Sequence, residues 1–171
     1  MRNLILVLFI LIAGCAPNTA TFMSPKGLGG DVIINGCAQI PSTFRYEMEG
    51  ASFKVNLGNN SVYLVVEVVD GSSVEWQNNE ISVQVNNEKF TEKAKYLIQS
   101  DRVREPCGGF TSTFNCKSYR SYHLNIEFES LIGASKVKIL PPIPMVNKVP
   151  FKVSEIEYKK VTKTLMQAIN C

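Results

Sequence analysis

The sequence predicts an all-β chain folded as an antiparallel β-sandwich, and three observations carry that expectation. In YHLNIEF, Tyr122, Leu124, Ile126 and Phe128 alternate with His123, Asn125 and Glu127, the period of a strand with one dry face and one wet face. VYLVVEVV, Val62 to Val69, is almost continuously apolar and rich in β-branched residues, which suits a central strand covered on both sides. Turn signals, Gly58-Asn59-Asn60, Asp70-Gly71, Asn78-Asn79 and Asn86-Asn87, recur at short intervals between the apolar runs, as hairpin-linked strands require.

In chain order, the first element is the apolar run Leu4 to Ala13, preceded by Arg2. As a helix it rises roughly 15 Å, whereas spanning a bilayer takes about 20 residues. A positive residue, a short apolar core and the small residues Ala13 and Gly14 have the layout of a secretory signal. Ile12-Ala13-Gly14-Cys15 resembles the lipobox of bacterial lipoproteins. That resemblance implies a signal peptide over residues 1–14, a thioether-linked diacylglycerol on Cys15, and a mature protein held on a membrane by its acyl chains, palmitate among them. A single acyl chain holds a protein to a membrane only marginally, but two or three give durable anchoring. In lipoproteins of enteric-type bacteria, Asp after the cysteine retains the protein at the inner membrane. Here the residue is Ala16, which the same rule assigns to the outer membrane, with the domain on the periplasmic side.

Residues 15–30 read as a flexible tether, because APNTATFMSPKGLGG mixes small residues, Pro and Gly without a sustained apolar period. Its GLGG is no phosphate loop, since neither a preceding strand nor a following helix frames it. Residues 31–171 form the expected single sandwich domain, Ig-like or related. In SFKVNL, Phe53, Val55 and Leu57 alternate with Lys54 and Asn56; in ISVQV, Ile81, Val83 and Val85 alternate with Ser82 and Gln84. Trp76, two positions from Val74, fits a core face. Glu92 to Gln99 has room for a helical turn or two. LPPIPMVNKVP, Leu140 to Pro150, offers either a polyproline II surface or prolines that block an edge strand. Val161, Leu165, Ala168 and Ile169 have helical spacing, so a short C-terminal helix competes there with a closing strand.

With Cys15 acylated, Cys37, Cys107, Cys116 and Cys171 remain. An even count in an exported chain points to two disulfides, with three possible connectivities. Cys107–Cys116 closes a short loop holding Gly108 and Gly109, and Cys37–Cys171 ties the first sandwich strand to the far end of the sequence; this is the pairing we expect. The spacings match neither a zinc knuckle nor a redox C-x-x-C.

The formal net charge of +3 is too small to argue for nucleic acid. Lys159, Lys160 and Lys163 read as a solvated face. The single histidine, His123, lies on the polar face of its strand with Glu127, and no G-x-S-x-G elbow is present to activate a serine. No catalytic set, metal site or cofactor is therefore expected. The segment most suggestive of recognition is CGGFTSTFNCKSYRSY, where Phe110, Phe114, Tyr119 and Arg120 stand among Gly, Ser, Thr and Asn, a mixture found in binding loops. The function expected is a non-enzymatic binding or assembly component of the cell envelope with a protein partner. A small-molecule- or glycan-binding sandwich is the alternative, and a lipid-anchored hydrolase comes after it.

Overall fold

The computed structural model describes residues 17–35, 40–94, 97–104 and 118–166; they form fourteen strands and one 3₁₀ turn, Glu129–Leu131, with no α-helix among the described residues. The strands are β1 (Pro17–Gly27), β2 (Asp31–Asn35), β3 (Ile40–Met48), β4 (Ala51–Leu57), β5 (Ser61–Val69), β6 (Val74–Asn78) and β7 (Glu80–Val85). They continue with β8 (Glu88–Lys93), β9 (Ile98–Arg104), β10 (Tyr119–Glu127), β11 (Lys136–Leu140), β12 (Ile143–Val146), β13 (Val149–Pro150) and β14 (Ile156–Met166). A five-stranded antiparallel sheet has the order β1-β14-β11-β7-β8, a six-stranded one β2-β3-β4-β5-β10-β9, and a three-stranded one β13-β12-β6. The two larger sheets pack as a sandwich, as the sequence predicts.

Strand alternation decides which residues fill the space between them. The six-stranded sheet contributes Phe53 and Val55 from β4 and Val62, Leu64, Val66 and Val68 from β5; the five-stranded sheet answers with Ile81, Val83, Ile139, Ile156 and Tyr158, all fully buried. Two buried tyrosines bring polar atoms into this apolar layer, and both hydroxyls are satisfied. Tyr158 Oη donates to the Val55 carbonyl at 2.8 Å, bridging the sheets, and Tyr46 Oη donates to the Ser154 carbonyl at 2.8 Å. Burial pushes both phenols above their ordinary pKa, so they remain neutral donors.

Several expectations are corrected. The tether over residues 15–30 is largely a strand: β1 pairs with β14 along its whole length, from Pro17↔Met166 to Gly27↔Ile156. Only Leu28, Gly29 and Gly30 bend, leading into β2. Its Thr and Phe residues accept extended backbone readily, and pairing satisfies the peptide groups that a tether leaves to water. The helical spacing of Val161 and Leu165 is likewise overridden, since β14 runs as a strand to Met166; Ala168 and Ile169 lie outside the described residues. The turns expected over Glu92 to Gln99 are the end of β8 and the start of β9.

VYLVVEVV is central in its sheet but covered on one face only. Val65, Glu67 and Val69 are half-buried and Tyr63 is exposed on the outer side, where Lys54 Nζ holds Glu67 at 2.6 Å. Within LPPIPMVNKVP, β12 and β13 form a hairpin whose turn residues, Asn147 and Lys148, have φ of 50° and 67°. Asn86 and Asn87 make the same kind of tight turn between β7 and β8, as their type predicts.

Candidate functional site

The sandwich has two ends. β5 begins and β10 finishes at one of them, Ser61 opposite Glu127; at the other, Val69 of β5 lies opposite Tyr119 of β10. At the Ser61 end, β11 pairs with β14 only between Ile156 and Lys159. Beyond that point β14 and β1 continue alone as a two-stranded ribbon.

At the base of the ribbon the two sheets part around a groove of about 480 Å³. Its apolar wall is Met23 from β1, Leu57 at the end of β4, Val137 from β11, and Leu131. The 3₁₀ turn places Leu131, through the bonds Leu131 N–H to the Phe128 carbonyl (3.1 Å) and Ala134 N–H to the Leu131 carbonyl (3.1 Å). Polar residues stand on the rim: Thr21, Ser42, Asn59 and Lys160. Thr21 Oγ1 lies 2.9 Å from Thr162 Oγ1 across the ribbon. Asn59 sits in the β4–β5 turn, which is closed by Gly58 N–H bonding to the Ser61 carbonyl at 2.7 Å. Among the described residues, the groove lining contains no Asp or Glu.

Lys160 owes its position to register. Ile156 and Tyr158 are on the core row of β14, and alternation puts Lys160 next on that row. Its N–H bonds the Ser135 carbonyl at 2.8 Å. On the opposite face, Glu157 takes Lys136 and Lys159, each at 2.9 Å, and Glu155 takes Lys138 at 2.9 Å. Lys160 has no acidic partner among the described residues.

Of the residues expected to form a binding loop, Phe110 and Phe114 lie outside the described residues, as do Cys15, Cys37, Cys107, Cys116 and Cys171. Tyr119 and Arg120 are not in a loop: they open β10 and are half-buried. Arg120 Nε is bound to Asp70 Oδ1 at 2.7 Å, which holds the Asp70 carboxyl below its ordinary range. Arg120 therefore fastens the turn after β5. His123 faces outward, its Nδ1 sharing a hydrogen bond of 2.6 Å with Tyr63 Oη and its ring stacked on that tyrosine at 5.8 Å. No cluster of three His, Cys, Asp or Glu side chains that could hold a metal ion is found among the described residues. Trp76 packs against the core, as expected, and also lines a second hollow with Glu80, Thr91 and Ala94.

The groove escapes the sequence because its parts come from five separate stretches. One local signal exists, the row Ile156, Tyr158, Lys160, in which two core residues are followed at strand spacing by a cation. Comparison with family models, with curated proteins and with solved structures gave no match.

Proposed function

We propose that this protein is a lipid-anchored, non-enzymatic binding or assembly component of a bacterial cell envelope, acylated at Cys15 and carried on the periplasmic face of the outer membrane. The observation that carries the reading is LIAGC at the end of a short apolar run, where a cysteine follows the small residues a lipoprotein signal requires. The start of β1 adds to it. Cys15 is followed by Ala16 and then by an edge strand fully paired with β14, so an acylated Cys15 joins the domain through a paired ribbon. A flexible tether of the same length would let the domain wander as far as roughly 50 Å. Paired β1 instead keeps the Ser61 end toward the lipid and leaves the Val69 end facing a partner.

The experiment is metabolic labelling with an alkyne fatty acid, followed by membrane fractionation. Cys15→Ser should abolish labelling, because it removes the thiol that takes the acyl group; unchanged labelling overturns the anchor. Crosslinking in native membranes tests the partner. Phe110→Ala and Phe114→Ala should lose the crosslinked protein while melting like the parent, since truncating an interface aromatic typically costs 2 kcal/mol or more of affinity. The alternative of a small-molecule-binding sandwich is favoured by one feature, the groove at the ribbon base.

A further inference from the structure

We infer that the groove at the ribbon base binds a free single-chain anionic amphiphile, a long-chain carboxylate, with its chain over Met23, Leu57, Leu131 and Val137 and its carboxylate on Lys160. The inference goes beyond the envelope role and does not rest on acylation of Cys15.

Charge gives the first reason. The lysines nearest to Lys160 on the outer face, Lys136, Lys138 and Lys159, each lie 2.9 Å from a glutamate oxygen. Lys160 is on the other face of β14, turned to the groove, without such a partner among the described residues. As the described residues of the lining include no carboxylate, they give the groove one uncompensated positive charge, which complements an anion.

The second reason is the division of the lining into a wall and a rim. Ligand sites of a few hundred Å³ are typically apolar with a few polar groups that fix orientation, and the volume here is about 480 Å³. Leu57, Leu131 and Val137 are buried and form the floor of the lining, while the exposed residues Thr21, Asn59 and Lys160 stand at its mouth. One cation above an apolar wall matches one anionic head above one hydrocarbon chain. Sugars are matched less well: the one aromatic residue at the lining, Phe22, pairs with Val161 on the face of the ribbon opposite Met23 and Lys160, and the described lining has no carboxylate to accept from vicinal hydroxyls. A nucleotide, with several negative charges, would need more than one cation.

The test uses the full chain carrying Cys15→Ser, so that no detergent is needed and every groove variant is read against the same parent. Sodium oleate below its micellar concentration and the neutral oleyl alcohol serve as probes, with displacement of a fluorescent fatty acid as readout. Oleate should bind saturably at one site. Lys160→Gln should weaken oleate about tenfold or more, the loss of a charge-assisted hydrogen bond, and leave oleyl alcohol unchanged. Ala134→Phe should block both probes by filling the groove, and Thr21→Trp, at an exposed position, should do the same without entering the core should Ala134→Phe fail to fold. Oleate affinity unaffected by Lys160→Gln overturns the inference. So does undiminished binding in a folded blocking variant, or binding only to vesicles containing phosphatidylglycerol with none to free oleate.

Discussion

At the Val69 end of the sandwich, polar side chains tie one strand to the next: Arg120 holds Asp70 at 2.7 Å, and Asn147 Oδ1 accepts from Ser73 N–H at 3.0 Å. The β13-β12-β6 sheet comes after β5 there, and Val146 and Phe151 beside it are buried in the core. At the Ser61 end the sheets stop around a groove, and Ser42 and Asn59 are left on its rim. Both ends belong to the same strands, so the contrast arises from the turns that link those strands. Where a turn carries an acid opposite an arginine, the end is fastened; where it carries amides and hydroxyls opposite a lysine, the end stays open to a solute. The fastened end and the open end thus lie at opposite ends of the same strands.

Truncating an apolar side chain at each end should make the difference visible. Phe53 is fully buried, with ring centroids of Tyr46 and Phe151 at 6.0 Å and 5.9 Å. Phe53→Ala should cost about 3–5 kcal/mol, because a rigid, close-packed surround leaves most of the cavity unfilled. Met23 lines the groove and is only half-buried, so Met23→Ala should cost about 1 kcal/mol, in the ordinary range for point changes outside a closed core. Urea midpoints measure both. Equal losses would mean that the groove end is as closed as the other.

The next effect concerns the link from β1 to the six-stranded sheet. A Cβ on Gly30 would collide with the Arg45 carbonyl oxygen and come within 2.7 Å of the Phe44 ring. Phe44 is 1% exposed and packs edge-on to Tyr46 at 5.1 Å, so it has little room to yield. Gly30→Ala should therefore destabilise by about 1–3 kcal/mol, the usual cost of overpacking. A thermal melt indistinguishable from the parent would return residues 28–30 to the status of a loose linker.

The six-stranded sheet was the more legible part of the molecule. β4 and β10 show their alternation because water lies on one side of them and the core on the other, and the Asn-Asn pair before β8 dictates a tight turn. β1 was illegible for a physical reason: as an edge strand whose outer half runs past the core, it buries too few side chains to impose a period. The helical spacing of Val161 and Leu165 is a coincidence of apolar residues on a ribbon, where pairing with β1 supplies hydrogen bonds that local propensity does not foresee. Of the candidate site, only Lys160 could have been suspected, since burial of Ile156 and Tyr158 fixes the face on which it falls. The residues that line the groove with that lysine, Leu57, Leu131 and Val137, are brought together only by the packing of one sheet on the other.

A smaller effect tests the fastening of the Val69 end. Asp70→Asn removes the carboxylate that Arg120 holds, and the turn residues are solvent-facing, so the melting temperature should fall slightly at low salt. Since exposed ion pairs are screened by salt, the difference from the parent should shrink on raising the ionic strength. A loss that persists in high salt would show that Arg120 and Asp70 act through geometry.

The smallest effect contrasts the two faces of β14. On the outer face, hydrogen bonds from Lys136 first and Lys159 next lower the Glu157 pKa from 4.5 to about 2. Folding favours the carboxylate, so its stabilising contribution is complete above pH 4.5 and is lost as pH falls through about 2. Glu157→Gln cannot titrate; it should melt slightly below the parent at neutral pH and converge with it toward pH 2, flattening that part of the acid limb. Lys160, on the groove face with no acidic partner among the described residues, has no carboxylate to lose. Lys160→Gln should therefore leave the shape of the acid limb unchanged. Melting temperatures of the three proteins between neutral pH and pH 2 check both statements: an acid limb of Glu157→Gln that tracks the parent would break the outer-face pairing, and one altered by Lys160→Gln would mean that an acid reaches the groove after all.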